Sequence, residues 1–320
     1  MTEPLCYEPG IYTFDACYLR PGLAAIYLIV ERGRVVVVDT ASNACLPRAL
    51  DALRSLGLTP ASVDYVFLTH VHLDHAGGAG AMMQAFPEAQ LVAHPRGAPH
   101  MADPTRLFAA VQAVYGEAQA RRRYGTLLPV PAERILAAAD GHILDLGGRI
   151  LVCLDTPGHA RHHLSLLDTR GGGLFAGEAF GISLRELDVT GRPSILPAIA
   201  PTQFDPVAMR ASVERILSMR PSALYLAHFG QIRDVSRLGG DLLRLLDAQV
   251  ALAERERDSG PDRAARLLAG LWTLVETETT RQDWRLTTEA LHALLDEYLA
   301  LNAQALDGWL AQTPPRSSAR

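Results

Sequence analysis

His70-Val71-His72-Leu73-Asp74-His75 places three imidazoles and one carboxylate within six residues. Neutral imidazole and carboxylate are good ligands for zinc and other first-row metals, and a solvated loop gains little from so dense a cluster. The block follows an apolar run at 65–68 and precedes the small-residue stretch Ala76-Gly77-Gly78-Ala79-Gly80. Strand end, turn and helix start is the pattern this predicts, and such a turn can aim several side chains into one cavity.

The elements that must carry the block follow from hydrophobic spacing. Residues 24–30 and 35–38 are rich in β-branched side chains around a charged turn and predict a hairpin whose second strand stops at Asp39. Leu46, Ala49, Leu50, Leu53 and Leu56 recur at helical spacing, with Gly57 where a helix would stop. A helix over 75–86, a strand at 91–93 and a longer helical stretch over 104–124 come next. Strands are expected at 142–146, 149–155, 163–167 and 174–176, between glycine-rich turns. Asp205-Pro206 predicts an N-cap and first-turn proline opening a helix to about Met219, and a last strand at 223–226 delivers His228. Beyond Asp234 the pattern is helix only, with Leu291, Leu294, Leu295, Tyr298, Leu299, Leu306, Trp309 and Leu310 on one stripe.

Taken in order along the chain, these motifs resemble the metallo-β-lactamase superfamily, whose signature is a His-x-His-x-Asp-His block followed by isolated residues. Asp39 stands at a strand end, as that family's first acidic residue does. Thr156-Pro157-Gly158-His159 is similar to its third motif, Phe175-Ala176-Gly177-Glu178 stands where it has a Gly-Asp pair, and Ala227-His228-Phe229-Gly230 resembles its closing histidine. The likeness spans about residues 12–230. It implies an α/β (α+β) fold, a four-layer αββα sandwich with an all-helical C-terminal extension and the site where strands end. Periodicity alone shows only mixed α and β. The domains expected are 1–233 for the sandwich, 234–312 for a helical cap or dimerisation element, and 313–320 for a flexible tail.

The resemblance also implies roles. His70, His72 and His159 would hold one metal, Asp74, His75 and His228 a second, and Glu178 would bridge them. Asp39 and His163 would orient ligands from behind. Two divalent ions are implied, zinc first, although iron and manganese suit the same ligands. Two ions roughly 3.5–4 Å apart can share a hydroxide and polarise a carbonyl, with Asp74 as the catalytic group orienting that hydroxide. The expected activity is hydrolysis of an ester, thioester or lactone of a small, partly apolar substrate. Alternatives within the family are a dehalogenase of chlorinated aromatics, a phosphodiesterase, and a regulatory binding protein that keeps the metal site. Flavodiiron oxygen reductases are disfavoured, since they carry glutamate where His72 stands.

Two departures from the family pattern bear on the site. Glu178 replaces an aspartate and is one methylene longer, so either its backbone retracts or the second metal is weak or absent. His162 is additional to His163, and strand alternation predicts that at most one of the pair faces the site. Acyl-homoserine lactonases are similar in the block and in Ala76-Gly77-Gly78, but Phe180 occupies their tyrosine position. Phe180 and His162 are therefore the expected substrate contacts, within the segments 95–124 and 180–204 that should overhang the metals. His94, His100, His142 and His292 match no ligand position.

Whole-chain properties set limits. The 320 residues include 48% hydrophobic and 20% charged side chains, and the formal charge of −5 argues against a nucleic-acid partner. Arg121, Arg122 and Arg123 form the tightest basic cluster, expected as a solvated helix face. Cys6, Cys17, Cys45 and Cys153 lack paired spacing and are expected to be reduced core thiols. Residues 1–10 lack a signal-peptide pattern and no apolar run approaches the roughly 20 residues of a membrane span, so the expectation is a cytoplasmic protein with a small-molecule substrate, no membrane partner, and helices beyond 234 that could support a homodimer.

Overall fold

The computed structural model describes residues 3–313, so the tail expected at 313–320 falls outside it except for Thr313. The chain forms two compact units. The first runs up to Thr156 and includes His162–Glu178 and Arg220–Arg233; the second comprises Pro157–Arg161, Ala179–Met219 and the described residues from Asp234.

The first unit contains two mixed sheets. One is built, in spatial order, from β1 (Leu5–Glu8), β2 (Ile11–Asp15), β3 (Ala25–Glu31), β4 (Arg34–Val38), β5 (Val63–Phe67), β6 (Gln90–Ala93) and β7 (Ile135–Ala137). The first four strands pair antiparallel and β4 to β7 run parallel. The other sheet is a meander of β8 (Ile143–Leu146), β9 (Arg149–Asp155), β10 (Leu164–Asp168) and β11 (Gly173–Gly177), completed by β12 (Ala223–Leu226), parallel to β11, and β13 (Gly230–Ile232).

The unbroken Val35–Val38 run is explained by burial on both faces. Val35 and Val37 join Ile26, Leu28 and Leu91 in one core cluster, while Val36 and Val38 join Tyr27, Phe67 and Val92 in another. A strand covered on both sides has no polar face, so its sequence does not alternate. The second cluster also holds Leu151, Cys153, Leu166, Phe175 and Tyr225, and is therefore the seam between the two sheets. At its centre the Tyr27 and Phe175 rings meet edge-on with centroids 5.4 Å apart, and the Tyr27 hydroxyl donates to the Leu226 carbonyl at 2.5 Å. Arg149 and Asp168 also lie buried, joined by two N–H to carboxylate bonds of 3.2 and 2.6 Å.

The helices of this unit are α1 (Leu46–Ser55), α2 (Leu73–Ala76), α3 (Ala79–Ala85), α4 (Ala98–Ala102), α5 (Thr105–Tyr115) and α6 (Glu117–Tyr124). The single helix expected over 75–86 is two, because Gly77 and Gly78 pack where a Cβ would overlap the carbonyls of Leu73, Thr40 and Ser42. The stretch 104–124 breaks at Gly116, whose φ of 80° ends α5. The short strands β1, β2, β7 and β13 carried no pattern strong enough to predict them.

The second unit contains α7 (Pro206–Ser218), α8 (Val235–Arg255), α9 (Arg263–Gln282) and α10 (Thr288–Gln312). Asp205 caps α7 as expected, accepting from Val207 N and Ala208 N. On the predicted stripe of α10, Leu291, Leu295, Leu299, Leu306 and Leu310 are buried. The C-terminal helices are tied to the 193–197 segment: Trp284 Nε1 donates to Ser194 Oγ at 2.7 Å, Arg237 to Pro193 O at 2.9 Å, and the Tyr298 hydroxyl to Pro197 O.

Candidate metal centre

Parallel pairing delivers the site residues of the first unit. Strands β4 and β5 are parallel neighbours, so Asp39 and the 69–75 turn emerge at one sheet edge. Strands β11 and β12 are likewise parallel, and Glu178 and His228 follow their ends. Asp39 N–H donates to Phe67 O at 2.8 Å, and Ala227 N–H to Gly177 O at 3.2 Å, fixing both exits.

Within this unit two groups of donor atoms converge. His70, His72 and Glu178 each offer an atom within 4.8 Å of the others, as do Asp74, His75 and His228. Glu178 stands between the groups: its Oε2 is 3.3 Å from His70 Nε2 and 3.3 Å from His75 Nε2, and its Oε1 is 3.8 Å from His228 Nε2. His70 Nε2 and His72 Nδ1 face each other at 3.0 Å. His72 and Asp74 are half-buried, whereas His70, His75, Glu178 and His228 are buried, so the former pair marks the open side.

Each buried imidazole is held by its other nitrogen. His75 Nδ1 lies 3.1 Å from Asp39 Oδ2, and an ionised carboxylate can only accept, so this nitrogen carries the proton. Thr69 Oγ1 gives its single proton to Asp39 at 2.9 Å and therefore accepts from His70 Nδ1 at 3.1 Å. His228 Nδ1 donates to Leu23 O at 2.8 Å. In the second unit His159 Nδ1 donates to Ala198 O at 2.9 Å. When neutral, all four rings thus present the lone pair of Nε2, the arrangement that orients metal-binding histidines.

His163 performs a different task. Its Nε2 accepts from the Glu178 N–H at 3.1 Å, so Nδ1 donates to Thr156 Oγ1 at 2.9 Å, and that hydroxyl is hydrogen-bonded to Ser165 Oγ at 2.9 Å. This fixes the backbone from which Glu178 projects. Gly177 has a φ of 53°, and a Cβ there would lie 2.6 Å from His163 Nε2, so no larger residue fits beside the strut.

Burial alone would raise the Asp74 carboxyl, but the His75 and His228 imidazoles overcome it and hold Asp74 well below the usual carboxylate range. Burial alone would lower His75 and His228; the surrounding Asp74, Asp39 and Glu178 carboxylates instead push His75 well up, and Asp74 and Glu178 push His228 up. The constellation attracts positive charge. His75 Nε2 is buried and has no hydrogen-bond partner, although Asp74 Oδ2 and Glu178 Oε2 lie 3.4 and 3.3 Å away. A buried imidazole nitrogen left facing two carboxylates fits a divalent cation among them.

Comparison with known families agrees with this geometry: the metallo-beta-lactamase superfamily model matches residues 19–228. The chain belongs to the metallo-β-lactamase superfamily. One superfamily member of solved structure, TTHA1429 from Thermus thermophilus, aligns with a TM-score of 0.64 at 24% identity over 96% of this chain and 95% of its own. The uncharacterized protein YobT of Bacillus subtilis (strain 168) is 29% identical over 157 residues, 48% of this chain and 60% of that protein, so the chain spans under two thirds of this relative. A hydroxyacylglutathione hydrolase of Synechococcus sp. (strain JA-2-3B'a(2-13)) is 27% identical over 142 residues, 44% of each chain.

For this metallo-β-lactamase superfamily chain, the structure gathers His70, His72, Asp74, His75, Glu178 and His228 around one cluster, with Asp39 and His163 behind it. The extra methylene of Glu178 does not remove its carboxylate from the cluster, because the left-handed turn at Gly177 and the His163 strut set its backbone. The alternation argument for His162 and His163 fails, since β10 begins only at Leu164. Both rings approach His70, with centroids 6.3 and 5.1 Å away. His162 is buried, with its Nδ1 accepting from Val71 N–H at 3.4 Å, and Phe180 is fully buried. Neither offers the open face expected of a substrate contact. Cys45 and Cys153 are core thiols as expected, but Cys6 and Cys17 are exposed. No helix among the described residues is long and apolar enough to cross a membrane.

Thr69 and the Leu23 and Ala198 carbonyls were missed in the sequence. A hydroxyl directly before the block was a usable signal for Thr69. The carbonyls have none, because every residue carries one.

Proposed function

We propose that this chain is a metal-dependent hydrolase with a two-metal centre that cleaves an ester, thioester or lactone of a small substrate. The observation that carries the reading is the Glu178 oxygen placed 3.3 Å from a histidine nitrogen of each donor group. His70, His72 and His159 would hold one ion, Asp74, His75 and His228 the other, and Glu178 both. Zinc suits this nitrogen and oxygen set. Divalent metal there supplies Lewis-acid polarisation of a carbonyl and an activated water.

The remaining work falls to side chains. Asp74, ionised and on the open side, would accept a hydrogen bond from the attacking water and orient it. Asp39, Thr69, Leu23 O and Ala198 O keep the imidazoles in the tautomer that presents Nε2. His163 prevents Glu178 from withdrawing. The hydroxyacylglutathione hydrolase similarity supports thioesters as the first substrates to try.

The test is metal analysis of purified protein with turnover measured on lactones, thioesters, aryl esters and chlorinated aromatics. Two metal ions per chain are expected, falling to one or fewer in Glu178→Gln, with activity of His72→Ala reduced by at least about 100-fold. A single ion in the native protein overturns the two-metal centre. Turnover that survives in His72→Ala overturns the hydrolase assignment.

A further inference from the structure

His162 stands outside the donor set and is only 5% exposed, so it can influence a reaction only through the groups it touches. Those groups belong to the arm that carries His70 and His72. The Val71 N–H points at His162 Nδ1 across a long 3.4 Å; this backbone group can only donate, so the ring nitrogen accepts and the neutral imidazole carries its proton on Nε2. Two residues further on, the Leu164 N–H donates to Thr69 O at 2.6 Å. The 162–164 and 69–71 segments are thus pinned at two points, once through backbone and once through the His162 ring.

The same ring packs against both imidazoles of the arm. It lies nearly parallel to the His70 ring, with 13° between the planes and centroids 6.3 Å apart, and it meets the His72 ring edge-on at 87° and 5.6 Å. Edge-on contact between aromatic rings favours one orientation over others. His70, His75 and His228 each have Nδ1 bonded to a hydroxyl, a carboxylate or a carbonyl, whereas half-buried His72 turns its Nδ1 toward His70 Nε2 at 3.0 Å. The edge-on contact therefore bears on the ring whose orientation the far-nitrogen bonds do not explain. The 94–97 turn packs on the same pair of residues: a Cβ on Gly97 would lie 2.8 Å from Val71 Cγ1 and 3.6 Å from His162 Cβ.

We infer that His162 is a positioning residue for the 70–72 arm: it holds the Val71 peptide and abuts the His72 ring, so that His70 and His72 present their nitrogens together. Consecutive residues then serve two parts of one donor group, His162 the imidazole arm and His163 the Glu178 backbone. The consequence for metal binding rests on the two-metal reading above; the clamp on Val71 does not.

The experiment compares His162→Asn, whose amide oxygen stands where Nδ1 stood and can still accept from Val71, with His162→Leu, which fills the space without an acceptor. In metal-stripped protein, hydrogen exchange at the Val71 amide, read by NMR, should be at least about tenfold faster than native in His162→Leu and within about threefold of native in His162→Asn. Zinc affinity, measured by chelator competition, should fall about tenfold in His162→Leu and be largely retained in His162→Asn. If His162→Leu does not fold, His162→Gln takes its place with the same expectation, because its amide oxygen stands at the position of Nε2 instead. Val71 exchange equal to native in the variant without the acceptor overturns the clamp, whatever zinc does. Faster exchange with zinc affinity unchanged, or equal losses of affinity in both variants, overturns the positioning role. The expected exchange pattern in a native protein that binds no zinc supports the clamp and sinks only the metal reading.

Discussion

Each histidine at the centre is useful because of what its far nitrogen does. Asp39 serves two at once, taking His75 Nδ1–H directly and His70 through Thr69. Asp39→Asn keeps the shape but can turn an N–H toward His75, and metal affinity measured by chelator competition is expected to fall roughly 10- to 100-fold. An unchanged affinity would remove Asp39 from the positioning role. Gly177→Ala forces a side chain onto a φ of 53° and against His163. About 2 kcal/mol of stability should be lost in urea denaturation, with metal binding weakened as well because Glu178 hangs from the same turn. Of these residues Asp39, His163 and Gly177 were visible as motif members. Their hydrogen-bond partners were not, since Thr156 and Ser165 have ordinary types at ordinary spacing.

Among elements, a buried charge pair ties neighbouring strands of one sheet in the first unit. Arg149 of β9 holds Asp168 of β10 and also reaches the Val30 carbonyl of β3 and the Gly10 carbonyl of the β1–β2 turn at 3.5 Å each. Arg149→Met leaves Asp168 buried and uncompensated and should cost about 3–5 kcal/mol, whereas Arg149→Met with Asp168→Leu should recover much of the loss. Equal destabilisation by the single and double variants would show that packing, not charge, sets the penalty. In the second unit the C-terminal helices hold the 193–197 segment through Trp284, Arg237 and Tyr298, and the next residue, Ala198, supplies the carbonyl that orients His159. Trp284→Phe removes one such bond, about 1 kcal/mol, and metal affinity should drop about fivefold. The helical segment is therefore tied to the support of His159, a link that the amphipathic stripe of α10 could not convey.

For the molecule as a whole, metal that binds only the folded state stabilises it by mass action, about 4 kcal/mol when its concentration exceeds the dissociation constant a thousandfold. Treatment with a strong chelator is expected to lower Tm by roughly 10 °C, and re-addition of zinc should restore it; a Tm indifferent to both would contradict metal binding at the cluster. The thiols report on the same packing. Burial pushes Cys45 and Cys153 up to about 12, so in the native protein a thiol reagent should titrate only the exposed Cys6 and Cys17, and all four in denaturant.

The sequence by itself determined the donor residue types, their order and the strand ends that carry them, because a dense His/Asp block and its supporting strands are local patterns written in side-chain chemistry and periodicity. Only the tertiary structure decided that Glu178 reaches both donor groups and that His162 and Phe180 are buried. Those outcomes depend on which strands pair in parallel, where backbone carbonyls fall, and how far a turn bends the chain. Such quantities arise from contacts between residues distant in sequence, and no window along the chain contains them.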